Sequence, residues 1–360
     1  LKAVPTSCLQ CVAICGVTGF VDNGRLVKIE GNPYAPNNRG MICPKGQAGI
    51  NQVYDPDRIL YPMKRIGKRG EGKWKRISMD EALDEVADKL RPIYNSEHPE
   101  DFMFHYGRSR IKSLVTHFFA DAFGTKTIGN HTSICEGGKW TAQELCWGKH
   151  YDINDVEHSR FILIVGANPL EAHTSHSYFA QRIVDAQANR ARVVTVDVRL
   201  SNTAAKSDEW IPIRPGTDAA LILAMCHVII EEEHYDGAFI RNWMNVTVEE
   251  LKEHLAPYTP EWAAKETTVP AERIRKLAVE FATNKPSTVV TYRGYVGHYN
   301  GTHNELAAKM LDAICGNMMI RKSVEGFSNQ RSLAKLRKWN CRNTKLKSIN
   351  TAIAKTPITI

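Results

Sequence analysis

Four cysteines near the start of the chain are spaced to hold a metal cluster. Cys8, Cys11 and Cys15 follow as Cys-x2-Cys-x3-Cys, and 27 residues later comes Cys43-Pro44-Lys45-Gly46. Three thiolates in one loop and a fourth returned by a hairpin make a four-sulfur pocket. A [4Fe–4S] cube needs that arrangement, with one cysteine on each iron. A four-cysteine zinc site is the alternative, although such sites present two Cys-x(2–4)-Cys pairs where this chain has three plus one. Unliganded buried thiols are the other.

A fifth cysteine lies in Asn130-His131-Thr132-Ser133-Ile134-Cys135-Glu136-Gly137-Gly138, a polar loop entering a helix. The positive end of a helix favours the thiolate form that binds a soft metal. A small buried thiol is the plainer reading. Cys146, Cys226 and Cys315 fall on helical patterns and are expected in the core.

Three further segments suit a nucleotide. Gly166-Ala167-Asn168-Pro169 closes an apolar strand, so backbone can approach a phosphate and Asn168 can donate to one. Asp197 ends the next strand, where a carboxylate can take both hydroxyls of a ribose. Arg214-Pro215-Gly216-Thr217-Asp218 then opens a helix, bringing N–H groups and a carboxylate to a purine edge. Asp197 as a strand-end cap and Thr217 or Asp218 as an ordinary N-cap remain open. No G-x-G-x-x-G is present, which argues against a standard nicotinamide or flavin site.

Together with Tyr54-Asp55-Pro56-Asp57-Arg58-Ile59 and Tyr61-Pro62-Met63-Lys64-Arg65, these motifs resemble the molybdopterin oxidoreductases, the dimethyl-sulfoxide-reductase family. Its members carry molybdenum or tungsten on two molybdopterin guanine dinucleotides. The likeness covers residues 1 to about 320, less than half of a usual catalytic subunit. It implies that Cys8, Cys11, Cys15 and Cys43 hold a [4Fe–4S] cluster and that Lys45 lies between cluster and pterin. It implies that Cys135 ligates the metal, and that Asn168, Asp197, Gly216 and Asp218 hold the dinucleotide ends. Arg108, in His105-Tyr106-Gly107-Arg108, and the loop Tyr292-Arg293-Gly294-Tyr295 become candidates for pterin phosphates. His173 and His176 become either phosphate neighbours or helix-start residues.

The resemblance implies an anaerobic respiratory oxidoreductase exchanging an oxygen or sulfur atom with a small inorganic substrate. Glu136, where formate dehydrogenases place histidine, points away from formate and toward polysulfide or thiosulfate, with arsenate or nitrate as the runner-up. A non-catalytic electron-transfer subunit and a truncated, inactive product are the rival readings. Expected partners are an iron–sulfur electron-transfer subunit and a membrane quinone-binding subunit. The expected location is periplasmic and membrane-associated through those partners, with cytoplasmic as the alternative.

The elements that must position these residues are those of an α/β protein. The reading is a small β-rich iron–sulfur domain (1–60), then the first part of a pterin- and metal-binding α/β domain (61–150). A Rossmann-like dinucleotide-binding α/β domain follows (151–320), then a basic tail (321–360). Asp22-Asn23-Gly24 predicts a hairpin turn between Gly19–Val21 and Arg25–Ile29. Ser78-Met79-Asp80-Glu81 predicts a capped helix whose stripe is Ala82, Val86, Ala87 and Leu90. Apolar runs at 161–165 and 192–197 predict buried parallel strands. A helix over about 175–188 with Phe179, Ile183 and Val184 inward, a strand over 210–213 and a helix over 219–232 complete the unit.

Composition excludes disorder and a disulfide scaffold, with 43% hydrophobic residues and only 9 cysteines in 360. The net charge of +8 is local. Residues 321–360 hold ten Lys+Arg and one acid, leaving 37 basic and 38 acidic side chains before them. No nucleic-acid partner is therefore expected, and the tail reads as a shifted frame or unrelated terminus. The longest apolar run, Ala219 to Ile230, contains His227 and is too short to span a bilayer. The chain starts at Leu1 rather than Met, so its true N-terminus is expected to be missing, and the absence of a targeting signal says nothing about compartment.

Overall fold

The computed structural model describes residues 1–107, 119–148, 154–172 and 176–317. The chain divides into two compact units. Leu1–Gln10 with Ile14–Ile134 form the first, and Cys11–Ala13 with the chain from Cys135 onward form the second. Arg108, His173, Cys341 and the basic tail lie outside the described residues.

In the first unit, β1 (Lys2–Ser7), β2 (Gly16–Asp22) and β3 (Arg25–Gly31) make an antiparallel sheet in that order. The β2–β3 turn falls where Asn23-Gly24 predicts it, with both residues at positive φ (+47° and +79°). The short helices α1 (Pro44–Gln47) and α2 (Gly49–Val53) follow, then the hairpin β4 (Met63–Arg65) and β5 (Trp74–Arg76). Helix α3 (Met79–Tyr94) starts where predicted, because the Ser78 hydroxyl accepts from the Glu81 N–H at 3.0 Å. Its apolar stripe does not become core, since none of its residues is buried. Strands β6 (Phe104–Tyr106) and β7 (Ile128–Asn130) pair in parallel, with α4 (Asp121–Phe123) between them. Phe102, Phe104, Phe119 and Phe123 cluster there, with centroids 4.8–6.2 Å apart. Helix α5 (Thr132–Cys135) then carries the chain into the second unit.

The second unit is built on a parallel sheet of β8 (Phe161–Val165), β9 (Arg192–Asp197), β10 (Glu209–Pro212) and β11 (Ser287–Thr291). Its spatial order is β10-β9-β8-β11. Counted from β8, that is the 3-2-1-4 order of a doubly wound sheet, whose switch point lies between β8 and β11. The strands read as continuous apolar runs because helices cover both faces. Phe161, Leu163, Val165, Val194, Val196 and Val289 enter one core, while Ile162, Ile164, Val193 and Val290 enter the other.

Ten helices complete the described part of this unit. They are α6 (Gly137–Trp147), α7 (His176–Ala188), α8 (Asn202–Ala205), α9 (Asp218–Glu231), α10 (Gly237–Trp243), α11 (Val248–Leu255), α12 (Pro260–Thr267), α13 (Ala271–Thr283), α14 (Arg293–Val296) and α15 (Gly301–Ile314). The apolar run that is too short to span a bilayer is α9, a central helix buried almost all round and packed by α11, α12, α13 and α15. Among the described residues no helix is long and apolar enough to cross a membrane.

Two inward assignments need correction. Phe179 and Ile183 of α7 are buried, but Val184 is exposed, because the helix rests on the sheet through the narrower stripe Phe179, Ile183 and Ala186. Cys146 is exposed on the last turn of α6, whose buried stripe consists of Lys139, Ala142 and Gln143. Cys226 and Cys315 are core residues as expected.

Candidate functional site

The first unit brings three of the four N-terminal cysteines into one neighbourhood. Cys8 follows β1, and its N–H donates to the Cys15 carbonyl at 2.9 Å, closing the cysteine loop. Cys15 is buried just before β2, and Cys43 is the N-cap of α1 with Pro44 at the first helical position. Gly46 presses this turn against Cys8. A Cβ there would sit 2.7 Å from Ile42 Cγ1 and 3.4 Å from the Cys8 sulfur. Cys11 belongs to the chain segment grouped with the second unit.

Asn38, which no spacing rule singles out, ties these loops together. Its buried side chain accepts from the Gly16 N–H at 2.7 Å and donates to the Gly16 and Met41 carbonyls at 3.0 and 2.6 Å. It therefore clamps the residue after Cys15 to a residue two before Cys43. Among the described residues no three His, Cys, Asp or Glu side chains converge on a single ion. A [4Fe–4S] cube places each sulfur on a different iron. The loop of Cys8 and Cys15 and the turn opened by Cys43, with Gly46 leaving room beside the Cys8 sulfur, fit that group. Lys45 is exposed on α1, in the turn that Cys43 opens.

Cys135 is half-buried at the end of α5, with Glu136 alone between it and α6. The segment expected to be a loop thus forms the short helix α5, and Cys135 is its last residue, two positions before the first residue of α6. Glu136 caps α6 from a buried position, and its Oε1 accepts from the Tyr292 hydroxyl at 2.5 Å. Burial pushes the thiols of the core cysteines up, that of Cys315 to about 12 and that of Cys226 well above the ordinary 9.0. Neither offers a thiolate at neutral pH.

The carboxyl ends of the parallel strands in the second unit are where a doubly wound sheet takes its ligands. Gly166 ends β8 at φ +56°, and a Cβ on it would lie 2.5 Å from the Tyr295 amide nitrogen. No other residue fits there. Across the switch point the Gly294 N–H donates to the Gly166 carbonyl at 2.9 Å, so two glycine backbones meet where β8 and β11 diverge. The Tyr-Arg-Gly-Tyr segment thus supplies this close approach, while Tyr295 is buried and donates to the Asn304 carbonyl at 2.6 Å.

The other predicted nucleotide residues border the same edge of the sheet. Asn168 is half-buried, accepting from the Thr203 hydroxyl at 2.5 Å and donating to Glu171. Its carboxamide is thus oriented by two protein partners. Hydrogen bonds from Asn168, together with Arg199 and Asn202, hold the Glu171 carboxyl below its usual range. Asp197 ends β9, and its carbonyl accepts from Trp210 Nε1 at 3.0 Å. Gly216, at φ +81° with open space about its Cα, lines a cleft with Thr217, Trp262, Asn300 and Asn304. Asp218 is the first residue of α9 and is buried. Burial pushes its carboxyl up to about 6, against a hydrogen bond from its own backbone and the charge of His298, with Asp197 adding to the rise. Gly166, Asp197, Gly216 and Asp218 are thus all at strand C-termini or the helix start that follows, as a nucleotide spanning the sheet edge requires.

Comparisons with known proteins agree with this geometry. The family model of the molybdopterin oxidoreductase Fe4S4 domain matches residues 1–55, and that of the molybdopterin oxidoreductases matches residues 58–357, past the residue at which the motif pattern was read as ending. The thiosulfate reductase molybdopterin-containing subunit PhsA of Salmonella typhimurium is 37% identical over 292 residues, 80% of this chain and 37% of that protein. The arsenate respiratory reductase subunit ArrA of a Shewanella species is 32% identical, over 87% of this chain and 40% of its own length. Acetylene hydratase from Pelobacter acetylenicus has the same fold, with a TM-score of 0.78 and 29% identity over 88% of this chain and 44% of that one. The chain spans less than half the length of these relatives. With a family model covering most of its residues, the chain belongs to the molybdopterin oxidoreductases, and its cofactors are that family's molybdopterin-bound metal and [4Fe–4S] cluster.

Proposed function

We propose that this chain serves an anaerobic respiratory reductase that acts on a sulfur compound such as polysulfide or thiosulfate. The observation that carries the reading is Cys135 at the end of α5, followed by buried Glu136 at the N-cap position of α6, in a chain 37% identical to a thiosulfate reductase subunit. When bound, the molybdenum or tungsten on its two guanine dinucleotides supplies oxygen- or sulfur-atom exchange and the two-electron change; the protein positions and isolates it.

Each group has a stated part in this reading. Cys135 gives the metal its protein sulfur. Cys8, Cys11, Cys15 and Cys43 hold the cluster, with Asn38 and Gly46 fixing the shape of their loops. Lys45 places a fixed positive charge next to the cluster turn. Gly166 and Gly294 let the ends of β8 and β11 meet closely beside the crevice, Asp197 accepts from a ribose, and Asp218 accepts from a guanine edge at the start of α9. Asn168, held by Thr203 and Glu171, borders the same crevice. Arg108 and His173 are assigned to cofactor phosphates by family resemblance.

The electrons need a donor, so the partners proposed are an iron–sulfur electron-transfer subunit and a membrane quinone-binding subunit. The location proposed is periplasmic. Arsenate reduction is the second reading, favoured by 32% identity to an arsenate respiratory reductase subunit over 87% of the chain. Anaerobically purified holoenzyme, supplied with a reduced dye, should oxidise it with thiosulfate or polysulfide. Turnover with arsenate or nitrate and none with sulfur compounds would replace the first reading by the second. A folded protein holding zinc and no iron would remove both.

A further inference from the structure

Helix α6, which follows Cys135, is fastened to its unit by buried polar groups rather than by apolar packing alone. Glu136, Lys139 and Glu305 are only 3%, 7% and 0% exposed. The Lys139 ammonium donates to the Thr291 carbonyl and hydroxyl oxygens at 3.0 and 3.1 Å and lies 3.7 Å from Glu305 Oε1. Glu305 also accepts from the Thr291 hydroxyl at 2.6 Å and from Gln143 Nε2 at 3.1 Å, and Lys309 lies 3.6 Å away. One turn nearer Cys135, Tyr292 donates to Glu136 at 2.5 Å. Between these two ties, Gly138 meets α15 so closely that a Cβ would be 3.0 Å from the Gly301 carbonyl carbon.

These contacts converge on two consecutive residues, Thr291 and Tyr292, at the carboxyl end of β11. That strand end lies beside β8 at the switch point of the sheet, two residues before Gly294. Buried ion pairs are a poor source of net stability, since apolar groups of equal volume commonly do as well or better. What a pair with defined hydrogen bonds does supply is a single geometry, and catalytic groups misplaced by about 1 Å can lose on the order of a hundredfold in rate.

We infer that Tyr292, Lys139 and Glu305 are positioning residues that fix the direction of the Cys135 sulfur relative to the dinucleotide crevice. This rests on Cys135 being the metal ligand. Tyr292 and Lys139 act on the turn next to the sulfur, and Glu305 holds Lys139 and Thr291 in register. None of the three touches the reacting atoms in this role.

The test is electron paramagnetic resonance of the metal in its +5 state, in holoenzyme carrying Tyr292→Phe, Lys139→Met or Cys135→Ser, with iron and metal content measured alongside. Tyr292→Phe removes one oxygen atom and keeps the ring. It should retain full cofactor content yet give shifted or multiple g-values, with kcat lowered about tenfold or more and KM little changed. Lys139→Met should act in the same direction and more strongly. If Lys139→Met fails to fold or load, Tyr292→Phe alone decides. Unchanged g-values and kcat in fully loaded Tyr292→Phe, with only a lower melting temperature, would overturn the inference while leaving Cys135 as ligand. An unchanged spectrum in loaded Cys135→Ser would instead overturn the ligand assignment on which it rests.

Discussion

Replacing Asp218 by Asn should stabilise the protein at neutral pH and weaken its hold on a guanine nucleotide. Asp218 is 5% exposed at the first turn of α9, and burial is the largest cause that pushes its carboxyl from an ordinary 3.8 to about 6. The folded value lies above the unfolded one, so the folded state favours the protonated acid. Stability therefore falls as pH rises from about 4 to about 6 and stays lowered above that window. At pH 8 the ionised carboxylate costs the fold about 3 kcal/mol, and at pH 4.5 about 1 kcal/mol, from the two values and 1.36 kcal/mol per pH unit. Asn does not titrate. The unfolding free energy of Asp218→Asn, measured against the parent by urea denaturation and circular dichroism, should rise by about 2 kcal/mol between pH 4.5 and pH 8. Constant effects of the substitution cancel in that difference. A gap that stays level with pH, or widens toward acid, would refute the burial argument. A carboxylate kept in place at such a cost belongs to a site where stability yields to binding. The same variant should release guanine nucleotide that the parent retains through gel filtration.

Three other perturbations follow from the geometry. Gly166→Ala puts a Cβ 2.5 Å from the Tyr295 nitrogen at φ +56°, and should cost on the order of 2 kcal/mol or more, read as a lower melting temperature. Asn38→Ala removes three hydrogen bonds that clamp Gly16 and Met41 and should lower the iron bound per chain, with a stability loss of about 2–3 kcal/mol; unchanged iron content would show that the clamp does not shape the cluster loops. Cys226 and Cys315, whose thiols burial holds far from ionising, should resist a thiol reagent at pH 8 in the folded protein while half-buried Cys135 reacts in protein stripped of metal. Peptide mapping of the labelled sites reads that result.

What the sequence made legible was local chemistry. The Asn23-Gly24 turn, the Ser78 cap and the continuous apolar strands each depend on a few neighbouring residues, and each has its counterpart in the structure. What depended on docking was not legible. Strand β1 has little apolar alternation and forms by pairing with β2. The meeting of Gly166 and Gly294 follows from β11 lying beside β8, a neighbour relation between residues 128 positions apart. Nothing in the local pattern marks Lys139 or Glu305 as buried, because Lys139 and Glu305 meet across 166 positions and both are tied to Thr291. Val184 and Cys146 were placed inward because a helix stripe can be read from sequence only to within a residue's width. Which edge of it faces the sheet is set by the partner surface.

The central claim is that one chain combines a cysteine-held iron–sulfur cluster with a sheet-edge site for guanine dinucleotide and its metal. The most direct measurement is elemental analysis of anaerobically purified holoenzyme, with acid-released guanine nucleotide counted in the same sample. The account predicts iron sufficient for the four-iron cube on Cys8, Cys11, Cys15 and Cys43, together with molybdenum or tungsten and about two guanine nucleotides per metal. Zinc in place of iron, with no guanine nucleotide released from a folded protein, would contradict it.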